Sequence, residues 1–244
     1  MPRIVTYNVH RCVGNDRQLD VARVADVLAR LEPDIVALQE LDVGRARTNH
    51  VDQASEIAQR LEMVCHFHPA MTVEAELYGD AILTAYPERL IQTGPLPGHP
   101  RIAQLEPRGA LWLEVDIEGR TVQVINTHLG LVPREQQMQA SFLAGPSWLA
   151  HPRCQGPKIL LGDFNATGTS VVYRTLTARL EAARNLAHRR SPTATFPSQL
   201  PVLRIDHVFV SREIVVRDVF APYDPLTRVA SDHLPLVMDF EILA

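Results

Sequence analysis

The stretch Ile159-Leu160-Leu161-Gly162-Asp163-Phe164-Asn165 contains a short apolar run followed by a glycine, an acid, an aromatic residue and an amide. The run is typical of a buried strand that ends at the rim of a sheet. Asp163 and Asn165 are two positions apart, so on an extended backbone both side chains point to the same side. A carboxylate accepts a proton or binds a metal, and an amide donates to a phosphate oxygen or positions water. The alternative is a strand-to-loop turn in which both side chains satisfy local backbone groups.

Five further segments show the same feature, in which an apolar run adjoins a side chain with oxygen or imidazole groups. The residues at these positions are Asn8, Glu40, His128, Asp206-His207 and Asp232-His233. A single residue of this kind is usually a cap or a surface group. Six such positions instead indicate strands that end at one rim and bring their polar residues together.

Taken in order, these segments resemble the endonuclease/exonuclease/phosphatase superfamily, also called the DNase I-like family. The motifs that carry the resemblance are Tyr7-Asn8-Val9-His10, Leu38-Gln39-Glu40-Leu41-Asp42, Asn126-Thr127-His128-Leu129, Gly162-Asp163-Phe164-Asn165, Arg204-Ile205-Asp206-His207 and Ser231-Asp232-His233-Leu234-Pro235. Each motif alone is weak, whereas the ordered set is specific and extends from residue 3 to about residue 240.

Within that superfamily the chain most resembles the compact bacterial branch described as metal-dependent hydrolases. The segments concerned are Asp52-Gln53-Ala54, Tyr78-Gly79-Asp80-Ala81-Ile82-Leu83 and Glu106-Pro107-Arg108-Gly109-Ala110. Proteins of this branch often carry Asn where this chain has Asp80. The added negative charge could weaken binding of an anionic substrate, or Asp80 could simply be a turn residue.

The resemblance implies an α+β fold with four αββα layers, in which two packed, mostly antiparallel sheets are flanked by helices. Apolar residues at helical spacing independently predict helices at 20–31, 52–61, 136–149 (interrupted at Gly145-Pro146) and 171–180. Strands are predicted near residues 64–70, 80–86, 110–117, 121–127, 158–162, 205–210, 214–220 and 235–241. Helices interspersed with many strands fit two packed sheets with helices outside. We expect a single domain over residues 1–244.

The composition is that of a globular protein, with 244 residues of which 46% are hydrophobic. No apolar stretch predicts a membrane anchor, and residues 3–9 already read as a core strand instead of a secretory signal. Three cysteines, Cys12, Cys65 and Cys154, have no metal-site spacing and form no even disulfide set. Free thiols in a reducing compartment follow, so we expect a cytoplasmic protein.

The charge balance bears on the substrate. The formal net charge is −4 and Lys158 is the only lysine, while the densest basic cluster, Arg184 to Arg190, is short. Proteins that bind duplex DNA through its phosphates usually carry a basic stripe. Tight nonspecific binding of long DNA is therefore disfavoured.

Four of the predicted rim residues are acids, namely Glu40, Asp163, Asp206 and Asp232. Brought together they would repel one another and raise one another's pKa values, a conflict that a divalent cation removes. Oxygen ligands without clustered cysteines favour Mg²⁺, with Mn²⁺ possible, over zinc.

The resemblance then implies a role for each residue. Glu40 would be the main metal ligand, with Asn8 and Asp232 beside it. Asp163 would orient or deprotonate the attacking water, and Asn165 would hold that water or a phosphate oxygen. The residues implied to act on the phosphate are His233, polarised by Asp206, and His128 from the opposite side.

Other polar residues leave more than one interpretation open. Arg108, Arg45 and Arg47 are candidate phosphate contacts because a guanidinium forks onto phosphate oxygens, although each could be an ordinary surface ion-pair partner. His207 points away from Asp206 along the strand and is interpreted as structural. His66 and His68 could pair on a metal, but a half-exposed strand is favoured.

The leading hypothesis is a Mg²⁺-dependent hydrolase of phosphoester bonds, with a phosphodiester favoured over a monoester. Its substrate would be a nucleic acid, a phospholipid headgroup or a soluble phosphorylated molecule, and the superfamily includes all of these. No obligate protein partner is indicated. The alternatives are a phosphomonoesterase and, below it, a catalytically silent binding protein, which is disfavoured because no acid or histidine of the motifs is missing.

Overall fold

The computed structural model describes residues 1–187 and 191–243. Its strands are β1 (Arg3–Asn8), β2 (Ile35–Val43), β3 (Val64–Val73), β4 (Glu76–Thr84), β5 (Glu88–Pro95), β6 (Gly109–Ile117), β7 (Arg120–His128), β8 (Lys158–Asp163), β9 (Glu181–Ala182), β10 (Asp206–Val210), β11 (Ile214–Phe220) and β12 (Leu236–Ile242). Its helices are α1 (Val21–Leu31), α2 (Gln53–Leu61), α3 (Pro133–Leu143), α4 (Val171–Thr177), α5 (Ala183–Leu186) and α6 (Pro225–Ala230).

The strands form two six-stranded sheets. The first has the order β11-β12-β1-β2-β4-β3 and the second the order β5-β6-β7-β8-β10-β9. Each sheet contains one parallel pair, β1 with β2 and β7 with β8, and the other pairs are antiparallel. The predicted α+β sandwich of two mostly antiparallel sheets is thus confirmed.

The alternation of side chains along each strand divides the core into layers. Ile4 and Ile35 belong to a cluster with Leu111 and Leu161, which fills the space between the sheets. Their neighbour Val5 instead packs in the cluster that contains apolar residues of α1 and α2. Because successive side chains of a strand point to opposite faces, a continuous apolar run fills both layers at once.

Helix ends follow local capping chemistry. Asp20 accepts a hydrogen bond from the backbone N–H of Arg23, and Asp52 accepts one from Ser55, so each acid caps its helix. Helix α3 differs from the prediction of 136–149. It begins at Pro133, which occupies the first turn, and ends before Gly145-Pro146.

Strand β5 was not predicted. Its sequence alternates poorly, and half of its residues are half-buried and the other half exposed, as expected at the edge of a sheet. Strand β4 begins four residues before the predicted start at residue 80. Asp80 therefore lies inside a strand, and the interpretation of Asp80 as a turn residue is wrong.

The predictions on membrane spans, cysteines and the basic cluster can each be compared with the structure. None of the helices in residues 1–187 and 191–243 has the length and apolarity needed to span a membrane. All three cysteines are free thiols, with Cys12 in the core beneath α1. The basic cluster reaches only Arg184 within the described residues, because His188, Arg189 and Arg190 lie outside them.

Candidate active site

The two parallel strand pairs deliver the polar residues to one place. Asn8 ends β1 and Glu40 lies in β2, while His128 ends β7 and Asp163 ends β8. Parallel neighbours end at the same edge, so each sheet contributes two side chains to one rim. Glu40, His128 and Asp163 line a cavity of about 370 Å³. Its other lining residues are His10, Arg11, Arg47, Tyr78, Glu106, Arg108, Leu131, Asn165, Phe196, Asp232 and His233.

Gly162 allows β8 to approach β7 closely. Its φ of +144° is unfavourable for other residues, and a Cβ atom there would lie 1.8 Å from the carbonyl oxygen of Thr127. This approach places Asp163 opposite His128 in the register of the parallel pair.

The two carboxylate oxygens of Asp163 have separate tasks. Oδ1 accepts a hydrogen bond of 2.8 Å from the backbone N–H of Asn165. This bond forms the strand-to-loop turn that the sequence analysis gave as the alternative to a site. Oδ2 faces the cavity, 3.5 Å from Nε2 of His128 and 3.7 Å from Nε2 of His233. Asn165 has a φ of +49°, so it reaches the cavity from a left-handed turn instead of from an extended strand.

Asn8 connects the acids of the two sheets. Its Nδ2 donates hydrogen bonds of 3.0 Å to Oε1 of Glu40 and to Oδ2 of Asp163. Its Oδ1 accepts from the backbone N–H of His10. As placed, the amide holds Glu40 and Asp163 at a fixed separation across the rim.

Glu40 has a positive φ of +62° at a bulge, where the register between β2 and β4 shifts between Leu38 and Leu41. A bulge frees ladder groups and re-aims a side chain. The facing sheet satisfies the freed groups, because Nδ2 of Asn126 donates to the carbonyl oxygens of Leu38 and Ala81 at 2.9 Å each. Oδ1 of Asn126 accepts from Gln39 at 2.8 Å. The motif residues beside Glu40 and His128 thus form a buried link between the sheets.

His233 is held by Asp206. Nδ1 of His233 lies 2.9 Å from Oδ2 of Asp206, and the same oxygen accepts a hydrogen bond from the Thr195 hydroxyl. The backbone N–H of His233 donates to Ser231 Oγ, and the ring of Phe196 packs 4.9 Å away. The Phe196 ring and the Asp206 carboxylate therefore fix the imidazole, which leaves Nε2 directed at the cavity.

The protonation of His128 follows from its partners. Its Nδ1 lies 2.9 Å from Nη1 of Arg108, and its Nε2 lies 3.1 Å from Nδ2 of Asn165. Both partner nitrogens are donors, whereas a neutral imidazole accepts at only one of its two nitrogens. Burial lowers the pKa of His128 well below its usual value, and the charges of Arg108 and His233 lower it further. His128 is thus a neutral imidazole that accepts a hydrogen bond at one nitrogen and carries its proton on the other.

Burial and charge shift the pKa values of the other two groups upward. Burial raises the pKa of Asp163 to about 7, and Asp206 adds to the shift, while His233 and the bond from Asn8 oppose it. Burial lowers the pKa of His233, but Asp206 and Asp163 outweigh it and raise the value to about 10. An imidazolium thus faces a carboxylate whose pKa lies near neutrality.

Asp80 is a buried acid beside the cavity. Burial raises its pKa to about 8, although Arg108 opposes the shift. At neutral pH this side chain is therefore largely protonated and resembles the Asn expected in the bacterial branch. The expected extra negative charge is mostly absent.

The arginines are distributed differently from the sequence interpretation. Arg108 lines the cavity and pairs with Glu106 at 2.8 Å. Arg45 is outside the cavity lining, 3.4 Å from Glu76 and 3.9 Å from Asp42. Arg47 lines the cavity in its place and forks onto Asp42 with two bonds of 2.7 Å. Arg45 and Arg47 both follow β2, and nothing in the sequence indicates which of them lines the cavity.

Two groups of side chains could hold a cation, and they differ in whether their ligand atoms are free to bind it. Asp163, Asp206 and His233 lie together, yet Nδ1 of His233 and Oδ2 of Asp206 are already bonded to each other. Glu40 and Asp232 instead present carboxylates to the open cavity, and the side chain of Asp232 is 36% exposed. The two carboxylates are oxygen donors of the kind that fits Mg²⁺, while the adjacent Asn8 amide directs Nδ2 at Glu40 and accepts the N–H of His10 at Oδ1.

Known proteins are similar to this chain in sequence and in fold. A sequence model of the Endonuclease/Exonuclease/phosphatase family matches residues 5–233. The protein YbhP of Escherichia coli (strain K12) is 25% identical over 252 aligned residues, which cover 98% of this chain and 96% of that protein. A conserved protein from Enterococcus faecalis V583 has a TM-score of 0.79 at 22% identity, covering 98% of this chain and 99% of that chain. The mannosyl-6-phosphatase Bt3783 of Bacteroides thetaiotaomicron VPI-5482 has a TM-score of 0.75 at 18% identity, covering 99% of this chain and 100% of that chain.

Proposed function

Because the chain belongs to the Endonuclease/Exonuclease/phosphatase family, whose members hydrolyse phosphoester bonds, we propose that it is a Mg²⁺-dependent phosphodiesterase with its active site in the rim cavity. Family membership makes the chain a phosphoric ester hydrolase. The bond type, the metal and the residue roles are the proposal.

The observation that carries the proposal is the convergence of both sheets on Oδ2 of Asp163. Asn8 donates to this oxygen, and the Nε2 atoms of His128 and His233 lie 3.5 and 3.7 Å from it. A carboxylate with a pKa of about 7 beside a fixed imidazolium can accept a proton at neutral pH. Asp163 would thus orient and deprotonate the attacking water, with Asn165 holding that water or a phosphate oxygen.

Three side chains would stabilise charge on the phosphate. His233 would do so as an imidazolium that Asp206 holds in place, while neutral His128 would donate through Nε2 from the opposite side. Arg108, bonded to His128, would contact another phosphate oxygen. Donors that are fixed before the reaction stabilise charge as it develops and need little reorganisation.

Glu40 and Asp232, with the Asn8 amide, would hold the metal ion. When bound, Mg²⁺ supplies positive charge that offsets the clustered acids and polarises the phosphate. Mn²⁺ accepts the same oxygen donors and is the other candidate.

The first experiment compares hydrolysis of bis-p-nitrophenyl phosphate and p-nitrophenyl phosphate with Mg²⁺, with Mn²⁺ and with EDTA. We expect metal-dependent turnover that favours the diester and is lost with EDTA. Glu40→Gln should abolish turnover, whereas Glu62→Gln, an exposed matched control, should not. Absence of turnover of either ester with both metals would refute the proposal.

A monoesterase is the second candidate, because one structurally similar protein is a mannosyl-6-phosphatase. Higher kcat/KM for the monoester would favour it. The natural substrate class would then be sought among abasic-site DNA, single-stranded nucleic acid, phospholipids and inositol phosphates.

A further inference from the structure

A left-handed turn of three consecutive non-glycine residues follows β1. His10, Arg11 and Cys12 have φ values of +45°, +57° and +56°. This region disfavours residues with a Cβ atom, and such conformations persist only where the surrounding structure enforces them. Here the N–H of Cys12 donates to the carbonyl oxygen of Val9 at 2.8 Å, and that of Val13 donates to His10 at 3.0 Å. Residues in such conformations are concentrated at active sites and ligand-binding segments.

The turn directs the guanidinium of Arg11 to the cavity. Its Nη2 lies 2.8 Å from Nε2 of His10, and its Nε is buried without a hydrogen-bond partner. Arg47 is paired with Asp42 and Arg108 with Glu106, but no carboxylate within residues 1–187 and 191–243 forms an ion pair with Arg11. Arg11 is therefore a cation on the cavity wall that has no ion-pair partner among the described residues.

Gln53 connects Arg11 to Arg47. Its Nε2 donates to the carbonyl oxygen of Arg11 at 2.7 Å, and its Oε1 accepts from the N–H of Asp42 at 2.9 Å. Asp42 in turn receives the fork from Arg47. The buried amide thus fixes two arginine-bearing segments relative to each other. In the Asp52-Gln53-Ala54 motif, Asp52 therefore caps α2 and Gln53 connects the two arginine-bearing segments.

We propose that Arg11 and Arg47, positioned by Gln53, form a second anion subsite in the cavity. The preferred substrate would then carry a phosphate or a carboxylate in addition to the phosphoester that is hydrolysed. The fork onto Asp42 uses Nε and Nη2 of Arg47, which leaves Nη1 for a ligand. The assignment of the scissile phosphate to Arg108 rests on the proposed function.

The test compares binding of methylphosphonate with that of diphosphonates whose phosphorus atoms are joined by one to four methylene groups. Isothermal titration calorimetry in one magnesium buffer measures the affinities without turnover. One diphosphonate should bind about tenfold more tightly than methylphosphonate, as one additional charge-assisted hydrogen bond allows. Phosphonocarboxylates of the same length distinguish a carboxylate from a phosphate as the second group.

Arg11→Gln should bring this affinity ratio to within about twofold of unity, because the second group of the diphosphonate then has no subsite. Arg11→Lys, which keeps the charge, should give an intermediate ratio. Gln53→Met should reduce the ratio as Arg11→Gln does, and the exposed Arg30→Gln is the matched control.

Two results would overturn the subsite: no diphosphonate binds more tightly than methylphosphonate, or the ratio survives Arg11→Gln. If Gln53→Met does not fold, the two Arg11 variants still decide the question. A wild-type protein that fails to hydrolyse bis-p-nitrophenyl phosphate but shows the affinity ratio would refute the proposed function and support the subsite.

Discussion

Nδ1 of His233 lies 2.9 Å from Oδ2 of Asp206, although Asp206 lies in the second sheet and His233 just before a strand of the first. Asp206 begins β10 in the second sheet, and His233 precedes β12 in the first. The contact is almost fully buried and spans 27 residues of sequence. One hydrogen bond therefore both orients the imidazole and connects the sheets at the rim.

Asp206→Asn should reduce kcat on bis-p-nitrophenyl phosphate by about a hundredfold or more, because an amide neither fixes the imidazole tautomer nor stabilises the imidazolium. The exposed Asp26→Asn on α1 is the matched control. Steady-state kinetics with thermal melting would separate lost function from lost folding. Near wild-type kcat in a folded Asp206→Asn protein would contradict the role given to this pair.

Asp163→Asn should abolish most turnover without lowering stability. The buried acid has a pKa of about 7 because burial and Asp206 disfavour its charge, and the amide removes that conflict. We expect a melting temperature equal to or above that of the wild type. Loss of stability together with activity would instead make Asp163 a structural residue.

Asn126→Ala should destabilise the protein by about 2 to 4 kcal/mol, because the carbonyl oxygens of Leu38 and Ala81 lose their shared donor in the core. Turnover should also fall, since the bulge that aims Glu40 is no longer supported. Urea denaturation measures the first effect and kcat/KM the second. Asn185→Ala, at an exposed amide, should change neither.

Asp80→Asn should stabilise the protein increasingly as pH rises. The folded pKa of Asp80, about 8, exceeds its unfolded value, so the folded state binds more protons between about pH 4 and pH 8. Wild-type stability therefore falls across this range, and the variant avoids the loss. Denaturation at pH 5 and at pH 8 should show a larger gain at pH 8, of about 2 to 5 kcal/mol. An equal gain at both values would mean that Asp80 does not titrate as described.

His207→Gln should protect the protein against acid. Burial lowers the pKa of His207 to about 4, and its Nε2 donates to the carbonyl oxygen of Ala166 at 2.7 Å. The unfolded state, with a pKa of about 6.5, then binds more protons below that pH, so stability falls between about pH 6.5 and pH 4. This loss amounts to about 3 kcal/mol, and the Gln variant should lack it. His50→Gln, at an exposed position, should keep the wild-type acid sensitivity in the same denaturation series.

The sequence predicted the structure best where the signal lies within a single strand and the polar residue that follows it. The apolar runs before Asn8, Glu40, His128 and Asp163 identified four strands and the rim to which they lead. Parallel pairing then brought their ends together, which requires no knowledge of individual contacts. Helices α1 and α2 were equally accessible, because an acid marks the start of each.

Contacts between distant segments were not accessible in the same way. Nothing in the sequence indicates that Asn126 satisfies a bulge in the other sheet, or that Gln53 connects Arg11 with Asp42. The left-handed turn was also hidden, because no glycine marks it. Asp80 shows the limit most clearly, since its charge depends on burial that the sequence alone does not reveal.

The pairing of β1 with β12 has a consequence for synthesis. Arg3 lies opposite Asp239, and the candidate site combines Asn8 from the start of the chain with Asp232 and His233, which come more than two hundred residues later. A ribosome that has released β1 to β10 exposes a chain that still lacks Asp232 and His233. The candidate site of the nascent protein is therefore incomplete until the segment before β12 has emerged and β12 has paired with β1.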